Sequence, residues 1–505
     1  MSRTVEPAPL PRAQLVVLTV ALSLAVFMGA LDISIANVSV PNIAGDLGVS
    51  ADHGTWIITA FGAARAILLP VTGWMARRVG ELRLFILSTL AFTAFSLLCG
   101  LATTFPMLVA ARALQGVAAG PVMPLSQSLL LANFPRSRHG FANGIWAMMI
   151  VVGPVAGPIL GGWITDSYHW SWIFNLNVPI GILAALVTWL LLADRTPDTR
   201  VQGQRMDLVG LLLLSVAVIA LQVMLDQGSD KAWFDSNFIV GCAVVAVVAA
   251  AFLLVWELTD DNPVLDLALF GRRNFLVASI AITLGYMTYF GGVVILPLWL
   301  QTYHGYTATW AGMATASLGV GAVLCAPIAG RLSDRFDPRI LVTVGFLIFA
   351  VVSFLKADAS PQITFAQIFI TRLPWGIASA LFLIPLLTLS MAGLPSERFA
   401  SASGLFNFMR LLALSAGTSL AQVVWHRRSD LHDHHLTESI DGLAPSTQAW
   451  FERAQDLGMN HEQALSHLSE QISGQAALMG LNDAYWLAGW LFIGLTVLIW
   501  FARPE

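Results

Sequence analysis

About fourteen stretches of this 505-residue chain are apolar over the roughly 20 residues a helix needs to cross a bilayer, and no other feature narrows the fold as far. They fall near 15–38, 54–75, 84–102, 107–133, 141–164, 173–193, 208–226, 237–257, 275–299, 310–329, 340–356, 365–391, 401–424 and 480–501. The expected class is therefore an all-α polytopic membrane protein. A composition 57% hydrophobic and 11% charged agrees, being far from the soluble balance. The net charge of −4 is spread thinly and gives no reason to expect nucleic acid as a partner. Cys99, Cys242 and Cys325 all lie in apolar runs and read as packing residues, without a disulfide framework. The first run is too long for a cleaved signal peptide and carries Asp32.

Basic residues set the orientation. With the N-terminus in the cytoplasm, 17 of the 26 Lys and Arg fall on that side. Both termini are then cytoplasmic, and residues 1–12 form a short tail. An internal repeat gives the domain plan. Pro70-x-x-Gly73 is echoed by Pro327-x-x-Gly330, and Arg112-x-x-x-Gly116 by Arg372-x-x-x-Gly376, at offsets of 257 and 260 residues. Two six-helix halves, 13–193 and 275–505, with a linker 194–274 carrying two extra spans, account for those offsets. Duplicated halves are typical of secondary transporters, whose substrate site lies near the midplane between them. The second half includes a long outer loop, 425–478, in which Gln448 to Leu468 reads as one helix. It suits the membrane surface, a partner protein or a loosely packed lid equally well. His432, His434 and His435 in this loop have no second ligand group at a metal-binding spacing.

Two features carry chemistry. The run Gly153-Pro154-Val155-Ala156-Gly157-Pro158-Ile159-Leu160-Gly161-Gly162 lies inside the fifth span. Gly153, Gly157 and Gly161 form an i, i+4, i+8 row without side chains, which lets another helix approach backbone to backbone. Pro154 and Pro158 add a bend on the adjacent row. Simple small-residue packing explains the spacing as well as a pivot does. The second feature is Asp32, a carboxylate in an apolar helix, where a functional role is the default reading. Counting from the outer ends of their spans, Asp32 and Arg112 lie at a common depth of roughly 8–9 Å. An ion pair is geometrically open to them. Burial disfavours a carboxylate's charge and a guanidinium favours it, so a balanced group can exchange a proton as its surroundings alternate between wet and dry. A structural salt bridge is the alternative.

These stretches resemble known motifs. The Gly-Pro run is similar to the fifth-helix antiporter motif of the major facilitator superfamily. Leu31-Asp32-Ile33-Ser34-Ile35-Ala36-Asn37-Val38-Ser39-Val40-Pro41 resembles the first-helix motif of its fourteen-span drug:proton antiporters. Leu108 with Arg112, Gln115 and Gly116 resembles their fourth-helix motif, and Trp170 to Gly181 their entry to the sixth helix. The resemblance covers almost the whole chain. It implies proton-coupled export of hydrophobic or amphiphilic compounds by a multi-pass protein of a bacterial inner membrane, with Asp32 and Arg112 in proton coupling and no cofactor. It also implies two partners, a periplasmic membrane-fusion adaptor and an outer-membrane channel, which together would carry export across both membranes. One departure is Arg77, at a position where the superfamily usually has Asp. The second-half copy Gly330-Arg331-Leu332-Ser333-Asp334-Arg335 keeps the acid, so Gly330, Asp334 and Arg335 are the better gating loop. Arg65 is a second departure, favouring either an anionic substrate or a structural carboxylate. Asn37, Arg65, Gln115, Tyr286, Tyr289, Asn407 and Arg410 are candidate substrate contacts.

Other functions fit less well. No HExxH, GxSxG or metal-spaced carboxylate pair suggests an enzyme acting on lipid. Lys231 and Lys356 are the only lysines, and neither follows a Gly-x-x-x-x-Gly, so an ATP-driven pump is excluded. A dedicated exporter of one metabolite or lipid-like acid, such as a fatty acid, remains the main alternative.

Overall fold

The computed structural model describes residues 10–195, 207–229, 231–260, 263–438, 440 and 444–503. Of the expected tail and linker, residues 1–9 and 196–206 lie outside the described residues. Within the described residues every regular element is helical, and thirteen helices are long and apolar enough to cross a membrane.

The first half contains α1 (Arg12–Asp46), α2 (Trp56–Val79), α3 (Glu81–Gly100), α4 (Phe105–Asn133), α5 (His139–Ser167) and α6 (Asn177–Leu192). The fifth expected span coincides with α5, whose described apolar part is His139–Gly153. A single turn, Trp172–Asn175, leads into α6. The inserted pair is α7 (Leu208–Gln227) and α8 (Asn237–Thr259). The second half contains α9 (Arg273–Thr302), α10 (Ser317–Ser333), α11 (Pro338–Lys356), α12 (Phe365–Met391), α13 (Phe399–Glu438) and α14 (His461–Ile499).

Packing repeats the internal sequence duplication. In the first half α1 lies on α5, α2 and α3 on α4, and α3 on α6; in the second, α9 lies on α13, α10 and α11 on α12, and α11 on α14. The halves meet where α5 packs on α10 and α2 on α13. The inserted α7 joins this seam from the side. Asp226 accepts a hydrogen bond from Thr59 of α2 (2.7 Å), Gln222 bonds Ser415 of α13 (3.1 Å), and Ser419 donates to the Leu225 carbonyl (2.8 Å).

The last loop differs most from expectation. α13 runs unbroken for 40 residues and α14 for 39, each about 60 Å at 1.5 Å per residue and about twice the hydrocarbon thickness. The segment 425–478 is thus largely a projecting helical hairpin rather than a loop lying along the membrane. Its two arms are joined by Trp425 Nε1 donating to the Ala477 carbonyl (2.9 Å), and by Arg428 and His432, both on Asp483 (2.6 Å each). The single helix expected over Gln448–Leu468 is broken in two. Pro445–Asp456 ends before Gly458, whose φ of +85° no helix accommodates, and α14 restarts with Asn460 and Gln463 in a capping box.

Candidate functional site

Asp32 and Arg112 are both fully buried, and Arg112 Nη1 lies 2.5 Å from Asp32 Oδ2. α1 carries the acid and α4 the base, a pairing that their common depth allows. Around them the chain supplies one donor after another. Gln115 Nε2 donates to Asp32 Oδ1 at 3.1 Å and Asn177 Nδ2 at 2.9 Å. Arg112 also donates to Gln115 Oε1 (2.8 Å) and, through Nε, to the Ile57 carbonyl (3.1 Å). Its guanidinium lies 4.1 Å from the centre of the Phe61 ring. Asn177 reaches on to Ser96, which donates to the Phe174 carbonyl. Five helices of one half therefore contribute to the network around a single carboxylate, with α4 and α6 reaching it directly. A buried ion pair is tolerable only when its remaining lone pairs and protons find partners, and this one is nearly satisfied. Of the pair's own atoms Arg112 Nη2 is left without a partner, as is Asn177 Oδ1 in the surrounding network. Gln115, expected among the substrate contacts, stands inside this network. Asn177 and Ser96 were not singled out in the sequence, although each is a polar residue within an apolar span.

The bare row of α5 faces the same helix. A Cβ built on Gly153 would lie 2.9 Å from the Leu31 nitrogen, and one on Gly157 2.5 Å from Ser34 Cβ and 3.0 Å from the Ile35 nitrogen. One on Gly161 would meet Ile35 Cγ1 at 3.0 Å. The row is thus a backbone-to-backbone contact flanking Asp32. Gly162 has open space around it and does not belong to the contact. The Pro154 and Pro158 side chains lie outside those described.

Near the middle of the seam, Arg65 of α2 and Arg410 of α13 both point at the sulfur of Met123, at 3.7 and 3.3 Å. Both are buried, and among the described residues no carboxylate pairs with either. The Arg410 guanidinium lies 5.5 Å from the centre of the Tyr286 ring, which packs against Tyr289 and Phe290. Beside Arg65 is a cavity of about 10 Å³ lined by Gly29, Phe92, Val122 and Met123, room for about one water. Asn407 donates instead to Ser403, which bonds Gln127 across the seam. Asn37 is exposed and stands apart from these residues.

At one end of the seam Asp334 accepts hydrogen bonds from the backbone N–H groups of Gly140 (2.7 Å) and Phe141 (3.0 Å), the first turn of α5. Partial burial raises its carboxyl above the usual range, and the two amides oppose that rise. Gly330 is packed against Gly140 in the same contact. Arg77, despite replacing the usual acid, also crosses the seam, donating to Ser401 Oγ at 3.1 Å. These bonds hold that end of the two halves together.

Known proteins share this plan. The chain is 47% identical over 497 residues to the Multidrug export protein EmrB of Haemophilus influenzae, covering 98% of this chain and 97% of the relative. It is also 47% identical over 500 residues to EmrB of Escherichia coli, covering 99% and 97%. The Fatty acid resistance protein FarB of Neisseria gonorrhoeae is 40% identical over 496 residues, covering 98% and 97%. Among solved structures, the proton:xylose symporter XylE superposes with a TM-score of 0.61 at 14% identity, covering 97% of this chain and 96% of that one. The sequence pattern of the Major Facilitator Superfamily matches residues 22–418. This multi-pass membrane protein belongs to the Major Facilitator Superfamily of transporters.

Proposed function

We propose that this protein is a proton-coupled antiporter that exports hydrophobic or amphiphilic toxic compounds across a bacterial inner membrane. The observation that carries the reading is the Asp32–Arg112 pair, fully buried among five membrane helices and wrapped by Gln115 and Asn177. Full-length kinship with multidrug export proteins supplies the substrate class. A carboxylate so held has one proton-free, paired state. Protonating it weakens its bond to Arg112 and frees α1 to shift against the glycine row of α5. The seam between the halves is then the substrate path, with Arg65, Arg410, Tyr286 and Tyr289 along it, and Asp334 the latch at the cytoplasmic end. Both termini lie in the cytoplasm in this arrangement. The projecting hairpin enters the periplasm, where it suits a membrane-fusion adaptor leading to an outer-membrane channel.

A second reading has its own support. Two buried guanidinium groups without a carboxylate, Arg65 and Arg410, favour an organic acid, and a relative is named for fatty acid resistance. A dedicated exporter of one such acid would use the same machinery. Transport in inverted vesicles with an imposed pH gradient, run over lipophilic acids and lipophilic cations, separates the two. Gradient-driven uptake of many compounds supports the multidrug reading, uptake of one acid the dedicated one, and uptake of none refutes both.

A further inference from the structure

The two halves repeat each other at an offset of 260 residues around their buried charges: Asp32 to Gly292, Ser96 to Lys356, Arg112 to Arg372 and Gln115 to Trp375. The first set is charge-balanced, Arg112 being paired with Asp32. The second has two cations and no acid. Lys356 is 6% exposed, and Arg372 and Trp375 are fully buried. Arg372 Nη2 donates to the Gly292 carbonyl at 2.8 Å, a site already shared with the Tyr485 hydroxyl at 3.0 Å. Lys356 Nζ, Arg372 Nε and Nη1, and Trp375 Nε1 are left without a partner. Nζ sits over the Trp375 and Tyr485 rings, 4.7 and 5.1 Å from their centres. Among the described residues no carboxylate pairs with either cation, and Asp358, two residues beyond Lys356, is exposed.

Four buried donor atoms on three neighbouring side chains, with no free acceptor among them, have the chemistry of an anion site. Buried cations without a counter-charge are costly, and ring faces offset only part of that cost. We infer that Lys356, Arg372 and Trp375 bind a monovalent anion from outside the chain, which supplies the counter-charge that Asp32 gives the first half. The first half thus carries its counter-charge covalently, while the second takes it up and can release it. The anion is either a small inorganic ion such as chloride or the carboxylate head of an acidic substrate.

The test is the thermal stability of the purified full-length protein in detergent, so it stands or falls apart from transport. Titrating chloride, or octanoate below its micellar concentration, into a buffer held at constant ionic strength with a bulky aminosulfonate should raise Tm saturably, by about 3 °C. Saturation by chloride assigns an inorganic ion, and saturation by octanoate alone assigns a substrate head group. Lys356→Gln should abolish the rise. So should the pair Gly292→Asp with Trp375→Gln, which restores the first half's Asp and Gln and supplies an internal carboxylate; it serves if Lys356→Gln does not accumulate. A Tm indifferent to all anions would overturn the inference in favour of an uncharged Lys356 amine. A rise that survives in the variants would place the anion elsewhere and overturn it too.

Discussion

Asp32 accepts hydrogen bonds from three side chains on two other helices, and that crowding decides what its replacement should do. Asp32→Asn keeps the shape and removes the exchangeable proton, so gradient-driven export should vanish while membrane levels stay normal; full proton-coupled export by this variant would sink the assignment. Asn177→Leu tests the support. A hydrogen bond to a charged group contributes about 1.5–3 kcal/mol, so export should fall by roughly tenfold or more, measured as initial rate in vesicles against protein level. The pair itself was legible because two opposite charges in apolar spans stand out and lie at matching depths. Asn177 and Ser96 were not, because neutral polar residues are common in spans and their partners depend on helix rotation. The common-depth argument reached the right pair although α1 runs on to Asp46, well past its expected end at 38.

At the scale of elements, the glycine row is where two helices depend on the absence of side chains. Gly157→Leu would thrust its Cβ into Ser34 and the backbone of Ile35. Overpacking of this kind costs about 1–3 kcal/mol. Insertion should survive and export should be poor; wild-type export would show that α1 and α5 need not move closely past one another. The inserted pair offers a second test. Asp226→Ala with Gln222→Ala removes its polar ties to Thr59 and Ser415, which should lower Tm by a few degrees without loss of insertion. Helix positions were readable from apolar length throughout. The extensions of α13 and α14 were not, because a polar run such as Arg427 to Glu438 reads as loop by hydropathy, although it contains neither Gly nor Pro to stop a helix. Gly458 was the overlooked signal that splits the expected 448–468 helix.

For the whole molecule, one end of the seam is fastened by Asp334 on the first turn of α5 and by Arg77 on Ser401. Asp334→Asn keeps the size but makes the acceptor neutral, so the fastened end should open more often; labels placed across it should show a larger open fraction, and an unchanged fraction would remove Asp334 from the latch. The hairpin is a separate matter. Deleting 446–473 removes its tip while sparing the seam, so transport in isolated vesicles should persist. Resistance in intact Gram-negative cells should be lost, and unchanged resistance would exclude the tip from any adaptor contact.

That α13 and α14 cross the membrane and continue outward without a break has a mechanical consequence. Both belong to the second half, so the hairpin is a rigid handle on one rocking body. It extends about 30 Å past the hydrocarbon, or about 45 Å from the midplane, and a rotation of roughly 10° about the midplane would swing its tip by about 8 Å. Anything gripping that tip would feel each turnover as a stroke, and anything clamping it still would brake the pump from outside the membrane.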